Sequence, residues 1–231
     1  MRVSAYIRSA AVALTALSLL GVGTATAGVL PPKAKLQGKS LASWARAYFA
    51  WEAAIPTNGP QKHPAIASGN VDCSYAQNSK VWFLETGQDG GERRCSIPAG
   101  TALFVPVVYW VCDPDLDGVD FPTCIKQGQE KLPNVVSVLT VDGLATKTSR
   151  WLTDTGKFRL ALAGESLWER DAKTKKLGAS TLFQAAGVSV LLTPLSTGLH
   201  TIRVSVDLDG DGSGKPQAIS YKITVRPGKK G

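Results

Sequence analysis

Residues 199–225 read LHTIRVSVDLDGDGSGKPQAISYKITV, and this stretch decides the fold class. Apolar and polar residues alternate along residues 201–206 and again along residues 219–225. This is the period of a strand that buries one face. The aspartates and glycines between the two runs are typical turn residues. The sequence therefore predicts a hairpin of two antiparallel strands.

Other short runs of β-branched and apolar residues come before this hairpin, separated by turns rich in Gly, Pro and Asp. They occupy residues 80–85, 103–111, 135–141, 157–162 and 187–192. Residues 86–93 are rich in glycine and predict a turn, and the polar residues 164–180 predict a long loop or a marginal helix.

Residues 40–54 have the helical period instead. Ser40 can cap the first turn, Pro56 is a stop signal, and one face of the helix is apolar. That face consists of Leu41, Trp44, Tyr48, Trp51 and Ile55, which we expect in the core. One early helix followed by many short strands predicts a mainly-β protein. We expect an antiparallel β-sandwich, jelly-roll or immunoglobulin-like, with one N-terminal amphipathic helix.

The first 27 residues have the pattern of a signal peptide. Arg2 and Arg8 are followed by an apolar stretch at residues 10–20 and by the small-x-small residues 25–27. The apolar stretch is too short to span a bilayer. We therefore expect a secreted or periplasmic protein, cleaved near Ala27.

The domain organisation that follows is simple. Residues 28–38 have the composition of a linker, and residues 39–231 suit one sandwich domain that includes the helix. No later stretch is long and apolar enough to predict a membrane span.

Four cysteines in an exported chain indicate two disulfides. Three pairings are possible. We prefer the most local pairing, Cys73 with Cys95 and Cys112 with Cys124. No C-x-x-C motif occurs, which argues against redox catalysis and against a zinc knuckle.

The acidic pattern D-x-D-x-D-G occurs at residues 113–118 and at residues 207–212. The aspartates are Asp113, Asp115, Asp117, Asp207, Asp209 and Asp211. Alternating carboxylates followed by glycine suit calcium, so we predict a calcium-type site at each motif. Neither motif is an EF-hand, because Cys124 and Ala218 stand where the bidentate glutamate belongs. The alternative for both motifs is a solvated turn.

The net charge of +8 is dispersed along the chain. A nucleic-acid binder would combine basic and aromatic residues on one element, and that pattern is absent from the sequence. Nucleic acid is therefore not an expected partner. The charge favours a basic soluble surface or attraction to an anionic cell wall.

We predict no catalytic residues. The two histidines are too few for a cupin-type metal site. His200 begins a strand, and we expect it to hydrogen-bond a turn. His63 lies between Lys62 and Pro64, and we expect it to be exposed in a loop.

A secreted enzyme acting on polysaccharide through two carboxylates is the alternative function. Glu85 and Glu92 flank one predicted turn and could face a common cleft. Glu165 and Glu169 lie one turn apart if residues 164–180 are helical.

Tryptophans are candidates for stacking on a sugar ring. Trp82 and Trp110 lie in apolar strands, so we expect them in the core. Trp151 and Trp168 lie among polar residues, so we expect them to be exposed. We therefore favour an exported, non-enzymatic binding or structural module, stabilised by calcium, with a glycan or another cell-surface ligand.

Several motifs follow one another in a distinctive order. They are Ile55-Pro56, Gly69, Cys73, Gln77, VWFL at 81–84, RCSIPAGTALFVP at 94–106, Asp142-Gly143 and PLSTGLHTI at 194–202. This order resembles a group of uncharacterised exported bacterial β-rich proteins, over most of residues 40–205. The resemblance implies one exported β-rich domain and no particular activity. The stretch after Pro106 varies in that group, so the motif at 113–118 can be a local feature of this chain. The closing hairpin is also similar to the last two strands of immunoglobulin-like modules.

Overall fold

The computed structural model describes residues 28–86, 91–168, 180–208, 210 and 217–227. Over these ranges the chain forms eleven strands and three α-helices. The helices are α1 (Leu41–Ala53), α2 (Pro114–Asp117) and α3 (Phe121–Lys131). The strands are β1 (Gly69–Asn70), β2 (Val81–Phe83), β3 (Gly91–Pro98), β4 (Ala102–Cys112), β5 (Val136–Val141), β6 (Leu144–Lys147), β7 (Leu152–Asp154), β8 (Phe158–Ala161), β9 (Ser180–Leu192), β10 (Gly198–Asp207) and β11 (Gln217–Arg226).

The strands form two sheets, so the predicted mainly-β sandwich is confirmed. The first sheet has the order β1-β3-β11-β10-β5-β6, and the second has the order β2-β4-β9-β7, with β8 also paired to β9. The predicted hairpin is β10 with β11, in a register that places Ile202 opposite Tyr221.

Some pairings at the sheet edges are parallel. Strand β3 runs parallel to β1 and β11, and β2 runs parallel to β4. The second case follows from the chain path. After β2 the chain crosses to the first sheet, forms β3 there and returns to the second sheet as β4. This crossover lets β4 run in the same direction as β2.

Helix α1 covers one face of the second sheet. The Ser40 hydroxyl accepts the Ser43 N–H at 3.2 Å, which caps the first turn as predicted. Tyr48 stacks on Phe104 of β4 with ring centroids 5.6 Å apart, and Phe49 lies 4.9 Å from Phe183 of β9. This helix–sheet contact explains why β4 and β9 are buried along most of their length.

Residues 28–38, the predicted linker, lie against the sandwich. The Leu30 N–H donates to the Leu191 carbonyl at 2.9 Å, and the Leu30 carbonyl accepts Trp151 Nε1–H at 2.7 Å. Trp151 is consequently only 3% exposed. The prediction that Trp151 is exposed is wrong, because a segment distant in sequence covers it.

Helix α3 was not predicted from the sequence. The Asp120 carboxylate caps it by accepting the Thr123 N–H at 2.8 Å, and a cap of this type is a recognisable signal. Gly128 obscured the helical pattern. A Cβ there would lie 2.7 Å from the Trp110 ring, so this position has room for glycine only.

Both preferred disulfides are confirmed. Cys73 and Cys95 are joined with Cα atoms 5.7 Å apart, and Cys112 and Cys124 with Cα atoms 5.8 Å apart. The first bond ties residues 61–77 to β3, and the second ties α3 to β4.

Candidate functional site

A cavity of about 260 Å³ lies at one edge of the sandwich. It is enclosed by the end of α1, by residues 61–77, and by β2, β3 and β11. Its principal lining residues are Trp51, Tyr75, Phe83, Glu85, Arg93 and Tyr221. Aromatic walls with a few polar groups are typical of a small-ligand site.

Covalent and polar contacts hold the outer wall in place. The disulfide between Cys73 and Cys95 anchors this wall to β3. The Gln77 amide donates to the Phe83 carbonyl at 2.9 Å and accepts the Phe83 N–H at 3.1 Å. The side chain of Gln77 thus takes the place of a neighbouring strand at the edge of β2.

A buried polar network forms the floor of the cavity. Arg93 is 2% exposed, and its Nη1 donates to the Glu85 carbonyl at 2.7 Å and to the Tyr221 hydroxyl at 3.1 Å. The Tyr221 hydroxyl in turn donates to the Glu85 carbonyl. Tyr48 donates to Glu85 Oε2 at 2.6 Å. Arg93 and Tyr221 therefore hold the backbone carbonyl of Glu85, and Tyr48 holds its carboxylate.

Burial keeps both tyrosines of this network protonated. It raises the pKa of Tyr221 to about 12. Burial, followed by the carboxylates of Glu52 and Glu85, raises the pKa of Tyr48 well above its usual value. Both hydroxyls are therefore neutral hydrogen-bond donors at physiological pH.

Two N–H groups that belong to residues lining the cavity have no hydrogen-bond partner within the described part of the chain. They are Trp51 Nε1 and Arg93 Nε, and both atoms are buried. Buried polar groups are almost always paired in folded proteins. These two donors are exceptions to that rule within the described residues.

The sequence patterns do not predict this site. Trp51 belongs to the apolar face of α1, whose other members are buried, but Trp51 itself is only half-buried and lines the cavity. Arg93 falls in the segment that was predicted as a turn, whereas the structure has β3 from Gly91 onward. The one usable signal was Cys95, which indicated that this segment is held in the fold.

The histidines have structural positions. His63 is fully buried, so the prediction that it is exposed is wrong. Its Nδ1 accepts the Ala65 N–H at 3.1 Å, and its Nε2 lies 3.2 Å from the Glu52 carbonyl oxygen. The prediction for His200 is confirmed, since its Nδ1 lies 2.6 Å from Asp142 Oδ2 at the turn after β5.

Glu85 and Glu92, the first predicted carboxylate pair, do not meet in one cleft. Glu85 lines the cavity, whereas Glu92 bonds to Lys222 at 2.8 Å and to Arg94 at 2.5 Å on the outer face of the first sheet. These two hydrogen bonds, from Lys222 and then Arg94, lower the pKa of Glu92. Of the other pair, Glu165 is exposed and Glu169 lies outside the described residues.

The first acidic motif forms a helical turn. Asp113 is 1% exposed and caps α2 by accepting the Asp115 N–H at 3.1 Å. The Thr181 hydroxyl also donates to Asp113, at 2.9 Å from Oδ2. Asp117 ends α2, and Gly118 follows at φ +70°. The Asp113 carboxylate therefore already accepts hydrogen bonds that hold α2 and β9 in place.

The second acidic motif follows β10. Asp207 Oδ1 accepts the Gly210 N–H at 3.1 Å. Asp209 and Asp211 lie outside the described residues. Across the described ranges, no three His, Cys, Asp or Glu side chains are grouped as a metal site would require. Calcium binding remains a prediction for both motifs.

The remaining tryptophans are half-buried. Trp82 and Trp110 were predicted to be in the core, and Trp168 was predicted to be exposed. Trp168 packs against Phe183 with ring centroids 5.2 Å apart. Trp51 is the tryptophan that lines the cavity.

The described helices include none that is both long and apolar enough to cross a membrane.

No protein-family model and no curated protein sequence matches the chain. The crystal structure of the cysteine protease inhibitor EhICP2 from Entamoeba histolytica is 10% identical, with a TM-score of 0.26 over 63% of this chain and 94% of the inhibitor. The solution structure of amebosin is 10% identical, with a TM-score of 0.25 over 69% of this chain and 99% of amebosin. Similarity at this level carries no argument about function.

Proposed function

We propose that this chain is an exported, non-enzymatic binding module whose ligand occupies the cavity beside Trp51. The observation that carries the proposal is the cavity itself, with an aromatic wall, a fixed polar floor and a disulfide in its outer wall. Pre-formed cavities of this composition are the usual sites of small ligands. A glycan at the cell surface is the ligand class that we favour, because aromatic rings pack well on sugar rings.

Export is supported by the cysteines. Two disulfides persist in oxidising compartments and are rare in the cytosol of most organisms. The signal-peptide pattern of residues 1–27 points to the same compartments. That segment lies outside the described residues.

A cavity-filling variant tests the proposal. Ala67 lines the cavity. Ala145 is exposed on β6, the edge strand of the first sheet that lies furthest from β1. The chain without residues 1–27 is applied to a glycan array as wild type, Ala67→Trp and Ala145→Trp. We expect Ala67→Trp to lose binding and Ala145→Trp to keep it, with similar melting temperatures. Equal binding by all three proteins would place the ligand elsewhere.

Hydrolysis of polysaccharide is the competing function, because the cavity contains two carboxylates, Asp72 and Glu85. Asp72 accepts the Ser74 N–H at 2.9 Å, a hydrogen bond that shapes the wall. The assay measures released reducing ends with wild type, Asp72→Asn and Glu85→Gln. We expect no turnover by any of them. Turnover that one substitution abolishes would reject the non-enzymatic role.

We also propose that calcium stabilises the hairpin at residues 207–212. This proposal is supported by the alternation of Asp207, Asp209 and Asp211. Carboxylates at this spacing repel one another, and a bound calcium ion would neutralise that repulsion. Calcium at 100 times its dissociation constant adds about 2.7 kcal/mol to the stability of the folded state. Melting temperatures with EDTA and with millimolar calcium measure this, and Asp209→Ala should remove the shift. The same measurement on Asp115→Ala tests the motif at 113–118. An unchanged wild-type melting temperature would reject calcium binding at both motifs.

A further inference from the structure

We propose that the outer face of the first sheet binds an acidic polysaccharide, whose carboxylates pair with a row of basic side chains that crosses this face. The inference is independent of the cavity, because none of these basic residues lines it. It rests on the register of the strands, on the charges that face outward and on a groove beside β3 and β11.

The strand pairing identifies the side chains of this face, because directly paired residues point to the same side of a sheet. On β10 and β11 the inward-pointing side chains, such as Ile202 and Ile223, are buried. Five of the outward-pointing side chains are basic and exposed, and we call them the basic row. They are Arg94, Lys147, Arg203, Lys222 and Arg226.

The basic row extends across most of the sheet. Arg94 and Lys222 lie directly opposite each other on β3 and β11. Arg203 pairs with Ser220, two residues before Lys222, so Arg203 and Lys222 are diagonal neighbours at about 7–8 Å. Lys147 lies on β6, two strands beyond β10. Neighbouring strands are about 4.8 Å apart, so the row covers roughly 19 Å between β3 and β6. This length suits a polymer better than a single small anion.

The charges on this face are not balanced. Its described positions include two acidic side chains, Glu92 and Asp207. Glu92 is shared between Arg94 at 2.5 Å and Lys222 at 2.8 Å. The other three members of the basic row form no ion pair with any described residue. The excess of positive charge attracts a negatively charged partner.

Hydroxyl side chains lie between the basic ones. The outward positions of β3, β5, β10 and β11 include Ser96, Thr140, Thr201, Ser205, Ser220 and Thr224. A sugar chain with carboxylates presents hydroxyls and negative charges together, so it can use both kinds of group on this face. The described positions of the face include no aromatic side chain on which the bases of a nucleic acid would stack.

A groove of about 620 Å³ adjoins the basic row at β3 and β11. Arg94, Lys222 and Arg226 line it together with residues 70–74. The disulfide between Cys73 and Cys95 fixes this second wall to β3. Asp72 is the one acidic side chain among the lining residues, and it accepts the Ser74 N–H at 2.9 Å. The groove is therefore a pre-formed, mainly basic channel for one end of the polymer.

Binding to immobilised polygalacturonate tests the inference, at about 50 mM and about 200 mM salt. The double variant Arg203→Gln with Lys222→Gln removes two charges from the basic row. The matched control is Lys126→Gln with Lys131→Gln, which removes two exposed charges from α3 on the second sheet. The comparison ligands are neutral dextran, single-stranded poly-dT and vesicles that contain phosphatidylglycerol.

We expect wild type to bind polygalacturonate and not dextran, and to bind more weakly at the higher salt concentration because exposed ion pairs are screened. The variant of the basic row should bind about tenfold more weakly, with a smaller dependence on salt. The α3 variant should stay within about twofold of wild type. Ala67→Trp should keep the affinity for polygalacturonate, and similar melting temperatures would show that all variants are folded.

Four outcomes would overturn the inference. Wild type that fails to bind polygalacturonate rejects it outright. Equal weakening by the two double variants would mean that net charge alone carries the binding. Binding of poly-dT or of the vesicles as tight as that of polygalacturonate would reject a polysaccharide as the partner. Loss of polygalacturonate binding in Ala67→Trp would place the polymer in the cavity, so that the proposed function stands while the separate surface is rejected.

Discussion

Buried polar side chains connect the candidate cavity to the core of the sandwich. Glu85, Arg93 and Tyr221 bring groups from β3, β11 and the end of β2 into one network. The buried ring of His63 connects the segment that follows α1 to the end of that helix, through the Glu52 carbonyl. Removing the partner of any of these groups should lower the stability of the fold, because a buried polar group without a partner has lost its hydrogen bonds to water and gained none in return.

His63 offers a test at this scale. We expect His63→Ala to lower the free energy of unfolding by about 3 kcal/mol, because it removes the acceptor of the Ala65 N–H, removes a polar contact with the Glu52 carbonyl and opens a cavity. Lys62→Ala, at the exposed neighbouring residue, should change the stability by less than about 0.5 kcal/mol. Urea unfolding monitored by tryptophan fluorescence measures both. Equal stability of the two variants would show that the buried ring contributes little.

At the scale of elements, both disulfides stabilise the fold, but only one of them also borders the cavity. The bond from Cys73 to Cys95 spans 22 residues and lines the cavity, whereas the bond from Cys112 to Cys124 spans 12 residues and holds α3. Loop-closure entropy gives each a stabilisation of about 3 kcal/mol.

Removing each bond by double serine substitution separates the two roles. We expect similar losses of stability, about 3 kcal/mol each, by urea unfolding. Only the variant without Cys73 and Cys95 should lose binding on the glycan array, because only that bond anchors the cavity wall. Loss of binding without Cys112 and Cys124, in a protein that remains folded, would contradict this division.

The contact between β4 and β9 depends on one glycine. A Cβ on Gly187 would overlap the Val108 carbonyl oxygen and lie 2.7 Å from the Tyr109 Cα atom. Both are backbone atoms that cannot move aside without shifting β4. We therefore expect Gly187→Ala to destabilise the fold by about 3 kcal/mol, whereas Gly164→Ala, with open space around it, should change little. Thermal unfolding of both variants measures the difference, and similar melting temperatures would show that β4 adapts.

For the whole molecule, buried tyrosines set the response to alkaline pH. The pKa of Tyr221 is raised from 10.0 to about 12 by burial. Below pH 10 Tyr221 is protonated in both the folded and the unfolded chain, so its contribution is fully present. Between pH 10 and pH 12 the unfolded chain releases the proton first, so stability falls as pH rises.

Urea unfolding at pH 8, 10 and 11 measures this loss. We expect the unfolding free energy to fall above pH 10, and Tyr221→Phe to make the decline shallower although it starts from a lower stability. Tyr75→Phe, at a half-buried cavity residue, should leave the slope closer to that of wild type. An identical slope for Tyr221→Phe would show that Tyr221 does not control the alkaline response.

Local patterns predicted much of this architecture. The alternation in residues 201–206 and 219–225 predicted the hairpin of β10 and β11, and the cap at Ser40 predicted the start of α1. Strand β3 was not predicted because it begins within a glycine-rich segment. Its partner β11 also lies far from it in the sequence. Pairing of this kind leaves no periodic signal along the chain.

The sequence by itself determined the mainly-β class and the capped helix, because these depend on residue spacing and local hydrogen bonding. Of three possible cysteine pairings it only favoured the most local one, which the structure confirms. Only the tertiary structure decided which polar and aromatic side chains are buried together. Arg93, Glu85 and Trp51 come from separate elements, and nothing in their local sequence predicts that they line one cavity. His63 and Trp151 were predicted to be exposed for the same reason, since burial depends on the chain that covers a residue rather than on its neighbours in sequence.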